Sequence, residues 1–189
     1  MMRSVRAVET VTDHERLRRI IAEKSLRLGD FILASGRKSK FLFDMKKTML
    51  DPEGINLLAD AVLEKVYSTD ANYIGGLAMG AVPVVVAAVL KSHGNRRELH
   101  GFWVRKEQKA HGTRNSADGY IVDGSKVVIV DDVTTTGESV MKAINEAREH
   151  NCDVVAVITI VDRMEGAREF LGSQGIELKS LFDKSDFNI

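Results

Sequence analysis

One stretch constrains this chain more than any other: Val127-Val128-Ile129-Val130-Asp131-Asp132-Val133-Thr134-Thr135-Thr136-Gly137-Glu138-Ser139. Four β-branched residues run into two carboxylates, then into small hydroxyl residues and Gly, then into a helical pattern. Such a continuous apolar run predicts a strand buried on both faces, as in a parallel sheet. Open α/β sheets place ligands at the carboxyl ends of these strands. From Thr134 to Ser139, successive backbone N–H groups with little side-chain bulk can face an anion at the mouth of the next helix, phosphate above all. Two acids just ahead of an anion cradle contradict that reading unless the ligand carries something else.

A ribose with free hydroxyls, a 5-phosphate and a magnesium-bound pyrophosphate resolves the contradiction. The string Val127 to Gly137 resembles the phosphoribosyl pyrophosphate (PRPP) signature of type I phosphoribosyltransferases. An apolar strand, Asp-Asp and then Thr-Gly is far more specific than a lone Gly-rich loop; the plainer alternative is a core strand before a helix cap rich in Asp and Thr. The resemblance implies an α/β fold with a central, mainly parallel sheet flanked by helices. It also implies a small hood built largely from the N-terminal segment, mainly residues 12–45.

Composition narrows the class. A chain of 189 residues has a single-domain length, and 44% hydrophobic residues can build a full core. Lys plus Arg and Asp plus Glu both total 27, so no global basic field argues for nucleic acid. Cys152 stands alone, which gives no disulfide framework or Cys-based zinc site and suits a reducing cytoplasm. The longest apolar stretch, Ala81 to Leu90, is about half the ~20 residues of a membrane span. Nor does the N-terminus show a signal-peptide core. The expectation is one soluble, cytoplasmic domain with no membrane partner. His14, His93, His100 and His150 lack matching metal partners and receive no role.

Along the chain, Thr12 and Glu15 read as a capping box for an amphipathic helix carrying Leu17, Ile20, Ile21 and Leu26. Phe31 to Asp44 reads as two short strands around a Ser35-Gly36-Arg37-Lys38 turn. Asp51-Pro52-Glu53 starts a scaffold helix with Ile55, Leu58, Ala59, Val62, Leu63 and Val66 as its buried stripe. Tyr73 to Pro83 is a short strand, a loop punctuated by Gly75, Gly76 and Gly80, and a helix start; Ala81 to Leu90 is apolar almost all round, as for a helix sandwiched in a core. Leu99 to Val104 is the next strand. Residues 105–119 follow as a polar tract without apolar periodicity, long enough to suggest a functional lid. After the signature come a helix with Val140, Ile144 and Ala147, a buried strand from Asp153 to Val161 ending at Asp162-Arg163, a short helix near Gly166 to Gln174, and a last strand from Ile176 to Phe182.

Two further strings select a branch of the family. Phe31-x-Leu33-x-Ser35-Gly36-x-x-Ser39, followed by aromatics, resembles the hood segment of orotate phosphoribosyltransferases. Arg105-Lys106-Glu107-x-Lys109-x-His111-Gly112 closely resembles their catalytic loop. By that resemblance Arg105, Lys106, Lys109 and His111 bind pyrophosphate, and part of the loop reaches across a homodimer interface. The resemblance further implies that Asp131 and Asp132 hold the ribose hydroxyls and, with Lys109, form the catalytic set. Val133, Thr134, Thr135, Thr136, Gly137, Glu138 and Ser139 complete the PRPP site. The resemblance also implies that Leu42, Phe43, Thr135 and Arg163 meet orotate, the Arg fork matching its carboxylate. The implied reaction is Mg²⁺-dependent transfer of 5-phosphoribosyl from PRPP to orotate, giving orotidine 5′-monophosphate and pyrophosphate, with no dedicated protein metal site. Two departures stand out: many family members carry Lys where this chain has Ala34 and Met79. Lys46 or Lys47 is the candidate to supply the missing charge. The rivals are a transferase for another base and a non-enzymatic PRPP-binding regulator.

Overall fold

The computed structural model describes residues 11–32, 36–95, 97–106 and 116–189. Leu33, Ala34, Ser35, Glu107, Lys109, His111 and Gly112, all named above, lie outside them.

The chain opens with α1 (Asp13–Ile20), whose start is fixed by Thr12 Oγ1 accepting from the Glu15 N–H at 3.2 Å. The Glu15 carboxylate turns instead to Arg18 and Arg19. A five-residue π-turn, Ile21–Ser25, ends the helix earlier than its apolar spacing predicts, and Leu26 becomes the first residue of β1 (Leu26–Ile32). β1 pairs antiparallel with β2 (Lys38–Phe43) in a separate two-stranded sheet, the expected hood. The short α2 (Lys46–Met49) leads to α3 (Pro52–Tyr67), where Asp51 accepts from the Gly54 N–H at 2.8 Å and Pro52 occupies the first turn. A carboxylate cap and a residue that needs no N–H donor are what an isolated helix start requires.

The main sheet holds β3 (Tyr73–Gly76), β4 (His100–Val104), β5 (Ala117–Gly119), β6 (Lys126–Thr134), β7 (Asp153–Asp162) and β8 (Leu178–Asp183) in the order β5-β4-β3-β6-β7-β8. All neighbours are parallel except the edge pair β4 and β5. Between them run α4 (Val82–Ser92), α5 (Glu138–Glu149) and α6 (Ala167–Ser173). The signature strand sits at the middle of the sheet, as its apolar run requires: Val128 and Val130 join the core shared with α3, α4 and the hood, while Val127 and Ile129 join the one beneath α5 and α6. The chain leaves β3 in one direction to reach β4 and the other side of β3 is taken by β6. The sheet therefore has its switch point between β3 and β6, the place where open α/β sheets bind ligands.

Three details differ from the sequence reading. The tract 105–119 is not uniformly irregular, because Ala117–Gly119 pairs with Val104, Trp103 and Phe102. α4 is not sandwiched all round: Val86 and Leu90, one turn apart, are 53% and 75% exposed. Finally, β6 carries both acids inside the strand, Asp131 pairing with Thr159 and Thr134 with Asp162.

Candidate active site

The switch point is lined by two turns. After β3, Gly76 packs so tightly that a Cβ there would lie 2.2 Å from the Val130 carbonyl oxygen, and one on Gly80 would lie 2.8 Å from Asp132 Oδ1. These glycines let the loop from Leu77 to Ala81 lie directly against Val130 and Asp132. Its Ala78–Met79 peptide is cis, and Met79 is 72% exposed. Ala78 and Met79 form one wall of a cleft of ≈ 410 Å³ whose other wall is Arg105 and Lys106 at the end of β4.

After β6 comes the second turn. Asp131 and Asp132 are half-buried, and Thr134 Oγ1 donates to Asp131 Oδ2 at 3.3 Å while the Val133 N–H donates to Asp132 Oδ1 at 2.9 Å. Burial, and then the charge of Asp132, push the Asp131 carboxyl up to about 7; burial also raises Asp132. Lys106 opposes both shifts, and Lys46 opposes that of Asp132. Two carboxylates are thus held together at the edge of water, poised to gain from any cation or hydroxyl donor placed against them. Thr135 and Thr136 are half-buried, Gly137 is buried, and Glu138 and Ser139 open α5 on the surface. The N–H groups of Thr135, Thr136 and Gly137 donate to no acceptor among the described residues. With the first-turn amides of α5 they stand where the sequence places an anion cradle, with their donors uncommitted. Gly137 has φ 87°, and a Cβ on it would come within 3.0 Å of Phe170. Thr134 differs from expectation, because it belongs to the strand and its hydroxyl serves Asp131.

One strand over, Arg163 leaves the end of β7 almost completely buried, at 3% exposure. Its Nε donates to Glu165 Oε1 at 2.8 Å, its Nη2 to Ser39 Oγ at 2.9 Å, and its Nη1 to the Phe41 carbonyl at 3.5 Å. The Phe41 ring lies 4.1 Å from the guanidinium carbon. Thus the hood covers the arginine, but through Phe41 and Ser39. Leu42 is half-buried, and Phe43 is a core residue packed on Phe187 at 5.1 Å. Ser39 closes the hood string and Phe41 is among the aromatics that follow it, but neither received a role from the sequence, and Glu165 was not singled out.

Arg105 is held by Asp118, with its Nη1 3.0 and 3.1 Å from the two carboxylate oxygens, and its N–H donates to the Ser116 carbonyl. Glu146 of α5 accepts from the Ser116 N–H at 3.0 Å and meets its hydroxyl as well. The base of the 105–119 tract is therefore fastened to the same helix that begins at the anion cradle. Lys106 is exposed at the cleft. Among the described residues no group of three His, Cys, Asp or Glu side chains could hold a metal ion.

Residues 53–171 match the family model described as "Phosphoribosyl transferase domain". The chain is 45% identical over 176 residues to the orotate phosphoribosyltransferase of Bradyrhizobium diazoefficiens, covering 91% of this chain and 94% of that one. The chain belongs to the orotate phosphoribosyltransferase family. Among solved structures of this family, the enzyme of Mycobacterium tuberculosis H37Rv superposes with a TM-score of 0.82 at 31% identity, over 94% of this chain and all of that one. The same enzyme in complex with PRPP gives a TM-score of 0.79 at 28% identity with the same coverage. The type I phosphoribosyltransferase architecture expected from Val127 to Gly137 is the fold of this chain.

Proposed function

We propose that this site transfers 5-phosphoribosyl from PRPP to N1 of orotate, using the switch-point turn for PRPP and Arg163 for the base. The activity, orotate phosphoribosyltransfer in pyrimidine biosynthesis, is that of the family. One observation supports the residue roles above all. The acid pair, the uncommitted amides of 135–137 and the buried guanidinium all project from the carboxyl ends of adjacent strands, β6 and β7.

Cleaving the bond from C1 to pyrophosphate builds positive charge on the ribose and negative charge on the leaving group, so catalysis rests on placed charges. Asp131 and Asp132 bind the ribose hydroxyls and stand beside the developing cation. The amides from Thr135 to Ser139 grip the 5-phosphate, supplying binding energy remote from the reacting carbon. Arg105, Lys106, Lys109 and His111 bind pyrophosphate, the last two from outside the described residues. Arg163 pairs with the orotate carboxylate beneath the hood strand carrying Leu42 and Phe43, with Thr135 at the other edge. Mg²⁺ fits this donor set as an ion carried in by PRPP, since it favours phosphate oxygens, waters and one or two carboxylates over an all-protein cage; when bound it neutralises charge on the leaving pyrophosphate.

The working protein is a single-domain cytoplasmic homodimer, with the 105–119 tract shared across the interface. No described helix is long and apolar enough to cross a membrane, and the exposed Val86 and Leu90 give α4 an apolar face suited to a second copy. The test is the ultraviolet absorbance of orotate mixed with protein, PRPP and Mg²⁺. Loss of orotate should require both PRPP and metal. Pyrophosphate release with another base, but none with orotate, would overturn the base assignment, and PRPP binding without turnover of any base would favour a regulator.

A further inference from the structure

The Arg163 guanidinium is oriented by a residue that nothing so far gives a role. Glu165 spends one carboxylate oxygen on Arg163 Nε at 2.8 Å and the other on Arg37 Nη2, also at 2.8 Å. Arg163 comes from the end of β7 and Arg37 from the hood just ahead of β2, so a single carboxylate joins the base-recognising arginine to the segment that covers it. With Ser39 and Phe41 engaged as well, three of the five guanidinium N–H donors are committed inside the protein. Two remain, the number that a bidentate pair with a ligand carboxylate uses. Rotating the fork would break the Glu165 bond and the stacking on Phe41 together, so its orientation is set before the base arrives.

We propose that Glu165 is a specificity-determining positioning residue: by bridging Arg163 and Arg37 it presents the remaining Arg163 donors to a planar, carboxylated base and fastens the hood above it. This rests on the reading of Arg163 as the partner of the orotate carboxylate. Glu165 need not touch the base. Its removal leaves the PRPP turn intact and frees the guanidinium to turn.

Steady-state kinetics of Glu165→Ala, Glu165→Gln and Arg163→Lys, each with both KM values and a melting temperature, test this. Glu165→Ala should raise the KM for orotate about ten-fold, the scale of one charge-assisted hydrogen bond, and leave the KM for PRPP within about two-fold. Glu165→Gln keeps an acceptor for Arg163 and should recover part of the loss; being nearly isosteric, it carries the test if the Ala variant does not fold. If orotate KM stays put in both Glu165 variants while Arg163→Lys raises it, the inference is wrong and the Arg163 reading stands. If Arg163→Lys also leaves orotate KM unmoved, the Arg163 reading fails and the inference with it. Equal rises in both KM values would mark Glu165 as a general fold contact and overturn the proposal.

Discussion

The two halves of the site are built differently. The half proposed for PRPP is built along one strand-turn-helix unit, in which two acids and a run of backbone amides follow one another from Asp131 to Ser139. The half proposed for the base is a side-chain device, assembled from Ser39 and Phe41 of β2, Arg37 just before it, and Arg163 and Glu165 just after β7. A turn held by main-chain geometry tolerates change in distant residues, since its donors are fixed by φ and ψ. A guanidinium held by four side-chain and carbonyl contacts depends on each of them. The first half suits a ligand of constant chemistry, phosphate and ribose. The second suits discrimination among bases, where an unpaired donor in a buried site is costly.

Removing charge from the PRPP half should have the largest effect. Asp131→Asn and Asp132→Asn are each expected to lower kcat by about 10²–10³-fold, the scale of losing one preorganised electrostatic group, with folding retained. Single-turnover rates and melting curves would show it. Gly80→Ala is a milder probe of the same half. Its new Cβ would lie 2.8 Å from Asp132 Oδ1 and displace that carboxylate, so kcat should fall about ten-fold while orotate KM holds.

The raised Asp131 carboxyl gives a stability signature in the ligand-free protein. Folded, it keeps its proton up to about 7, whereas unfolded it loses it near the ordinary carboxyl value of 3.8. The stabilisation it contributes is therefore complete below the unfolded value and is lost as pH rises through the folded one. Asp131→Asn, always neutral, should melt at the same temperature as the parent in acid, then several degrees higher by pH 8, as scanning calorimetry across that range would record. A gap independent of pH would remove Asp131 as the titrating group.

The smallest effect is expected from Lys46, which pairs with Asp44 at 2.8 Å and feels Asp132. Its side chain is 74% exposed, so screening limits it. Lys46→Ala should raise the KM for PRPP only a few-fold. If Lys46→Ala and Lys47→Ala both bind PRPP like the parent, neither lysine makes up for Ala34 and Met79.

The same division decides what the sequence revealed. Asp131 to Gly137 could be read because the cradle is contiguous: its residue types, their order and the preceding apolar run all report on one local geometry. The Asp51-Pro52 cap of α3 was legible for the same reason. Arg163 was placed at the end of an apolar strand run, but its surroundings were not, because Ser39, Phe41 and Arg37 reach Arg163 and Glu165 only after the hood folds over β7. β5 escaped notice because Ala117–Gly119 has no apolar alternation and is a strand only through β4. Leu26 kept helical spacing yet entered β1, where pairing with Phe43 outweighed propensity. The exposure of Val86 and Leu90 depends on which α4 face the rest of the chain covers, which no local pattern records.

The most direct test of this division is a pair of KM values, for PRPP and for orotate, measured in one assay on the parent, Asp132→Asn and Arg163→Lys. Independent halves predict that Asp132→Asn slows turnover while orotate KM stays within about two-fold, and that Arg163→Lys raises orotate KM by about 10–100-fold with PRPP KM unchanged. Either variant shifting both KM values together would contradict it, and would mean that hood and phosphate turn act as one unit.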